Sequence, residues 1–263
     1  MSDILERIVA DKKIELSELK RQKSYGQIEK QAAESAPPRD FLSVFSTTRI
    51  AVIAEIKRAS PSAGDILPGA NPLEIAKDYA AAGVSAISVL TERKYFKGEL
   101  TFLSIVKEAA PCPILRKDFI IDPYQIPETR SAGGDAFLLI ADLLKELELR
   151  SMIELAQSFE LTPLVEAHSE EDVHKSLATG ARVIGVNARN LRTLEMDMKR
   201  FETLRKLVPH DVWVVAESGL KSPDEIGILR NLGCHAVLIG ETLMKTSDRR
   251  GLARKFVEYV ALR

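Results

Sequence analysis

Apolar residues along this chain fall into two kinds of run. Short blocks rich in Val, Ile and Leu appear at IAVIAEI (50–56), VSAISVL (84–90), CPILRKD (112–118), DAFLLIA (135–141), LTPLVEA (161–167), RVIGVNA (182–188), VWVVAES (212–218) and HAVLIG (235–240). Most are continuously apolar, as parallel strands covered on both faces should be, whereas half-exposed antiparallel strands alternate. Between them lie helical patterns such as NPLEIAKDYAAAG (71–83), DPYQIPETRSAG (122–133), SEEDVHKSLATG (169–180) and SPDEIGILRNLG (222–233). Each opens on an N-cap residue type, Asn71, Asp122, Ser169 or Ser222, and each ends on a glycine suited to the C′ position. Residues 1–45 differ: Ile4, Leu5, Ile8, Val9, Ile14, Leu16 and Leu19 recur at helical spacing among charges, and the double proline of ESAPPRD then stops the helix.

Eight strand–helix units permit either an open doubly wound sheet or a closed barrel. Neither GxGxxG after the first strand nor a GxxxxGK[ST] loop occurs, and nearly every block ends in polar residues. The expected fold is therefore α/β, a (β/α)8 TIM barrel at 50–263 with an N-terminal helical extension at 1–45, the whole of 1–263 forming one domain. The extension is expected to pack near one of the open ends of the barrel.

With 37 basic and 38 acidic residues, no overall field would recruit nucleic acid or an anionic membrane. No apolar run reaches membrane-spanning length, and the acids among the first apolar residues argue against a secretory signal. Cys112 and Cys234 stand far apart outside any metal-ligand spacing, as two reduced thiols of a cytoplasmic protein would.

In a barrel of this kind chemistry is built where the strands end. Those ends carry Glu55 and Lys57, Thr91 and Glu92, Lys117 and Asp118, Asp142, Glu166, Asn187 and Arg189, Glu217 and Ser218, and Glu241. Alternation puts Glu55 and Lys57 on one side of the first strand and sends Lys117 opposite Arg116. Burial would lower the Lys117 pKa toward that of a general acid and raise that of Glu166, with structural ion pairs as the alternative for both. Thr91, Glu92 and Asp142 read as solvated loop residues, and Asp118 as a residue that orders its neighbours. Gly219 after the seventh strand and Gly240 opening a helix after the eighth suit a phosphate, to which Ser60 could add a hydroxyl. His168, His174, His210 and His235 show no ligand spacing and read as surface or structural residues.

The segments AEIKRASPSAGDI, VLTERKYFKGEL, PILRKDFIIDPYQI, LLIADLL, PLVEAHSEED, IGVNARNLRTLEMD, AESGLKSPDEI and AVLIGETLM together resemble the indole-3-glycerol phosphate synthase family over essentially the whole chain. The resemblance implies ring closure of 1-(2-carboxyphenylamino)-1-deoxyribulose 5-phosphate with loss of carbon dioxide and water, without metal or organic cofactor. It implies Lys117 as general acid and Lys57 as partner of the leaving carboxylate. Dehydration falls to Glu166 and the Glu55/Lys57 pair, in a division left open. Asn187, Arg189, Glu217 and Ser218 correspond to a polar ring that orders substrate and catalytic side chains. Ser60, Gly219, Gly240 and Glu241 correspond to the phosphate site, although some relatives carry Ser where this chain has Glu241. Phe96 and Phe119 correspond to aromatics that wall the substrate ring, with an apolar core role as the alternative. The partner implied is a phosphorylated small molecule, met by a monomer or weak homodimer in the cytoplasm.

Two rivals remain at this stage. A related phosphate-binding barrel isomerase would need Cys near the end of the first strand, where this chain has Glu55 and Lys57. A non-catalytic phosphate-ester binder would not need Lys117 and Glu166.

Overall fold

The apolar blocks form strands because their β-branched residues pack on both sides of a closed sheet. The computed structural model describes residues 2–46, 49–187, 197–217 and 219–261. Among them, β1 (Ala51–Ile56), β2 (Ala86–Leu90), β3 (Ile114–Lys117), β4 (Ala136–Ile140), β5 (Thr162–Ala167), β6 (Val183–Asn187), β7 (Trp213–Glu217) and β8 (Ala236–Ile239) pair in parallel with their sequence neighbours, and β8 closes onto β1. A two-stranded hairpin, Ala59–Ser60 with Gly64–Asp65, follows β1.

The helices are α1 (Ser2–Gln22), α2 (Tyr25–Glu34), α3 (Pro72–Ala82), α4 (Phe102–Ala109), α5 (Gln125–Ser131), α6 (Glu146–Ser158), α7 (Glu170–Ala178), α8 (Met198–Lys206), α9 (Glu225–Asn231), α10 (Glu241–Lys245) and α11 (Arg249–Ala261). Asn71 and Ser169 cap α3 and α7 as expected, the latter through a reciprocal bond with Asp172. Asp122 Oδ1 accepts from Tyr124 N–H at 3.0 Å, an N-cap bond just ahead of α5, whereas Ser222 does not cap. Each stands before a proline, α5 and α9 start later, and Glu225 Oε2 instead takes the N–H groups of Lys221 and Ser222 at 2.6 and 3.0 Å. Gly83, Gly133, Gly180 and Gly233 all have φ between 79° and 94°, the left-handed conformation that lets a helix end there.

Alternation divides the strand residues between two cores. Val52, Ile87, Phe137, Val165 and Val237 face the surrounding helices. Ile53, Leu115, Leu138, Leu164, Val215 and Leu238 fill the barrel interior. At the N-terminal end of the strands the interior is stoppered by the turn Phe41–Phe45, where Phe45 stacks on Trp213 at 5.5 Å and 13°.

Helix α1 lies at the other end. Ile8 and Leu16 are buried, but Ile14 is 61 % exposed, contrary to its expected place on the apolar face. Six residues from Ile8 it has rotated well round the helix, and Lys12, four residues from both Ile8 and Leu16, takes the inner stripe instead. Its Nζ lies 3.1 Å from Asp118 Oδ1, just beyond β3. Lys20 pairs with Asp122 at 2.6 Å, and Asp11 accepts from Lys94 and Tyr95, so α1 is pinned across the loops after β2 and β3. No helix among the described residues is long and apolar enough to cross a membrane.

Candidate active site

Two residues beyond the apolar interior layer, the inward face turns polar. The same alternation that places Ile53, Leu115, Leu164 and Val215 inside places Glu55, Lys117, Glu166 and Glu217 inside as well. Two residues further on stand Lys57, Phe119, His168 and Gly219. The register confirms the stacking: Leu90 pairs with Lys117, Glu166 with Gly185, and Asn187 with Glu217.

Lys117 is the hub of this layer. Its Nζ lies 3.2 Å from Glu166 Oε2 and donates to Glu217 Oε2. Glu166 Oε1 accepts from Asn187 Nδ2 and pairs with His168 Nε2, both at 2.8 Å. Across the mouth, Glu55 Oε1 pairs with Lys57 at 3.1 Å, and Ser88 donates to Glu55 Oε2 at 3.4 Å. Apart from Lys57, Lys117 and His168, these charges are almost wholly removed from water.

Of the three carboxyl groups here, Glu55, Glu166 and Glu217, one holds its proton well above the ordinary carboxylate range. Glu217 is that group. Its Oε1 is buried without a hydrogen-bond partner, and burial together with the Glu166 charge outweighs Lys117 and pushes its pKa up to about 8. Glu166 moves the other way. Burial opposes its charge, but Lys117, His168 and Asn187 hold it well below the ordinary carboxylate range. For Lys117 burial favours the neutral amine, yet Glu166, Glu217 and Glu55 together raise its pKa above the usual lysine value. Both directions reverse the expectation from burial alone, which left out partners supplied by other strands.

A carboxyl whose proton is held more tightly in the folded state weakens the fold as pH rises. Unfolded Glu217 ionises near its ordinary 4.5, while folded Glu217 waits until about 8, so the native state loses relative stability across that window and no more above it. We expect the thermal midpoint of Glu217→Gln to gain on the unsubstituted protein progressively from pH 5 to pH 8 by calorimetry. A difference independent of pH would show that Glu217 is ionised throughout.

Glycines make room for two of these carboxylates. A Cβ on Gly185 would lie 1.9 Å from Glu217 Oε1, and one on Gly240 would lie 2.4 Å from Glu55 Oε1. Glycine inside a strand signals such a close approach, and Gly185 in RVIGVNA was open to that reading. Overpacking by one methyl costs about 1–3 kcal/mol. Gly185→Ala is therefore expected to lower the denaturant midpoint and to displace Glu217 from Lys117; unchanged stability and turnover would contradict the tight fit.

The remaining expected site residues fall around this layer. Phe96 and Phe119 meet at the rim with ring centroids 6.0 Å apart. Ser60 sits in the hairpin after β1 and accepts from Ala63 N–H at 3.1 Å. Gly219 has φ 87° just past β7, and Gly240 precedes α10; Thr242 Oγ1 donates to Leu220 O at 2.5 Å, tying the two loops together. Glu241 pairs with Lys245 at 2.7 Å. Arg189 and Ser218 lie outside the described residues.

Three readings need correction. Thr91 and Glu92 are buried, not solvated: Thr91 donates to Asp118 Oδ2 at 2.6 Å, and Glu92 accepts the N–H groups of Lys94, Tyr95 and Phe96. His168 belongs to the site. Alternation from Glu166 was the signal for it. Asp118 does order its neighbours, and although burial opposes its charge, Arg116 and Lys12 pull its pKa down to about 2.

A parallel barrel with a lysine held between two glutamates at the C-terminal mouth is an enzyme fold furnished for proton transfer. The indole-3-glycerol phosphate synthase family model matches residues 5–256. Proteins named indole-3-glycerol phosphate synthase from Nocardioides sp. and Acetivibrio thermocellus are 43% and 44% identical, over 96% and 98% of this chain and 97% and 100% of theirs. The chain belongs to the indole-3-glycerol phosphate synthase family, whose members are carboxy-lyases. A solved 3-hexulose-6-phosphate synthase from Salmonella typhimurium aligns at TM-score 0.66 and 16% identity, over 81% of this chain and 99% of that one, a likeness of fold alone.

Proposed function

We propose that this protein closes the pyrrole ring of 1-(2-carboxyphenylamino)-1-deoxyribulose 5-phosphate, releasing carbon dioxide and water to give indole-3-glycerol phosphate, with Lys117 as general acid. The observation that carries this reading is the pairing of Lys117 with both Glu166 and Glu217 at the mouth of the barrel. The ring carbon bearing the carboxylate attacks the ketone, and Lys117 protonates the alkoxide as it forms. Lys57 faces the substrate carboxylate and holds it against the ring plane until carbon dioxide leaves and its bonding pair restores the ring.

Dehydration then needs an acid for the departing hydroxyl and a base for the adjacent C–H. Glu55 suits the base, and Lys57, relieved of the carboxylate, suits the acid and recovers its proton from Glu55, 3.1 Å away. Glu217, carrying its proton, and Asn187 hold Lys117 and Glu166 in position, with Arg189 and Ser218 completing the polar ring. Phe96 and Phe119 flank the aromatic ring. Ser60 and the backbone at Gly219, Gly240 and Glu241 receive the phosphate; binding through N–H groups tolerates Glu241 with its carboxylate turned to Lys245. We assign the protein to the cytoplasm as a monomer or weak homodimer.

The purified protein mixed with the carboxyphenylamino-deoxyribulose phosphate should develop indole fluorescence. Consumption of the substrate to any other product, or none, would refute the assignment.

A further inference from the structure

The reaction's proton balance poses a question that the buried layer does not answer. The substrate carboxylate is ionised at neutral pH and leaves as uncharged carbon dioxide. Dehydration moves one proton from carbon to the departing hydroxyl and is neutral overall. The alkoxide proton supplied by Lys117 is therefore a net uptake, one proton from solvent for every turnover. Lys117 must be recharged, yet its two carboxylate partners, Glu166 and Glu217, are buried.

The Lys117 side chain is 17 % exposed, and a second, more open side chain connects Glu166 to water. His168 stands two residues after Glu166 on the same inward face, its Nε2 2.8 Å from Glu166 Oε1, with its side chain 36 % exposed. The other oxygen of the same carboxylate, Oε2, lies 3.2 Å from Lys117 Nζ. From solvent the sequence of groups is imidazole, carboxylate, ammonium, each within reach of the next. We infer that His168 is a relay residue acting through Glu166: it takes a proton from solvent and returns it to Lys117 after each ring closure.

In that transfer the imidazolium N–H bond breaks as Glu166 Oε1 accepts the proton. The protonated carboxyl then turns about its Cγ–Cδ bond, and the oxygen that took the proton gives it to the neutral Lys117 amine, which regains its charge. Glu166 ends as it began, and His168 is reprotonated by water or buffer. The backbone keeps the imidazole in place: His168 N–H donates to Asp172 Oδ2 at 3.0 Å, and its carbonyl accepts from Arg200. Burial disfavours the imidazolium, but Glu166, Glu217 and Asp172 more than offset it and raise the pKa above 6.5, which keeps a proton available at neutral pH.

This inference rests on Lys117 as general acid, and the two can fail separately. In His168→Ala the first turnover finds Lys117 already charged, so rapid mixing should show a burst of one indole per site followed by a slow steady state. We expect kcat to fall by about tenfold while kcat/KM stays within about twofold, and added imidazole to restore kcat in a concentration-dependent way. His168→Gln retains a hydrogen-bond donor toward Glu166 but cannot relay, and should share the slow steady state even if His168→Ala folds poorly. Wild-type kcat in His168→Gln, or a steady state in His168→Ala without a burst and insensitive to imidazole, would overturn the relay and leave Lys117 untouched. Turnover at the wild-type rate in Lys117→Ala would instead remove the reading on which it rests.

Discussion

Lys117→Ala is expected to lower kcat by about 10³-fold, with KM changed only a few-fold, in a steady-state indole fluorescence assay. The size follows from what the ammonium does. Its proton is needed only when the alkoxide forms, so its removal raises the transition state without removing a ground-state contact to phosphate or ring. Fold loss is a poor explanation of such a result, because the carboxyl groups left behind can take up protons. With the lysine gone, the force that holds Glu166 ionised is weakened, and a neutral pair of carboxyls can share a hydrogen bond. A substantial residual rate with raised KM would instead make Lys117 a binding residue.

Glu166→Gln should reduce kcat by about 10²- to 10³-fold while leaving KM within a few-fold, since the amide matches the carboxylate in shape but accepts no proton. A second effect reaches beyond the substituted residue. Glu217 owes part of its raised pKa to the Glu166 charge, so in the variant it should ionise at lower pH and take over the ion pair with Lys117. Carbon-13 labelled glutamate carboxyl signals would follow that change across pH 5–9. Equal loss of affinity with the rate preserved would reassign Glu166 to binding, and an unmoved Glu217 titration would show that burial alone sets it.

Much of the framework was legible because the relevant periods are short. Continuous apolar blocks announce buried parallel strands, and a period of two from the interior residues carries straight to Glu55, Lys117, Glu166 and Glu217. The same period extends to His168, which the absence of ligand spacing had set aside. Other features depend on partners far away in the chain. Lys117 meets Glu166 and Glu217 across separations of 49 and 100 residues, and those carboxylates reverse the shift that burial alone implies. Lys12 looks like a solvated helix residue until Asp118 is placed beside it. In the same way, the raised pKa of Glu217 emerges only when its burial and the neighbouring Glu166 charge are both in view.

The central claim is that ring closure draws its proton from Lys117, and a single-turnover experiment reaches that step directly. Excess enzyme is mixed with carboxyl-labelled substrate, and released carbon dioxide and formed indole are counted together. The unsubstituted protein should give one carbon dioxide per indole, and Lys117→Ala should give neither over about a hundred times the wild-type interval. Carbon dioxide released by Lys117→Ala at the wild-type rate would contradict the claim, because decarboxylation cannot proceed until the ring has closed.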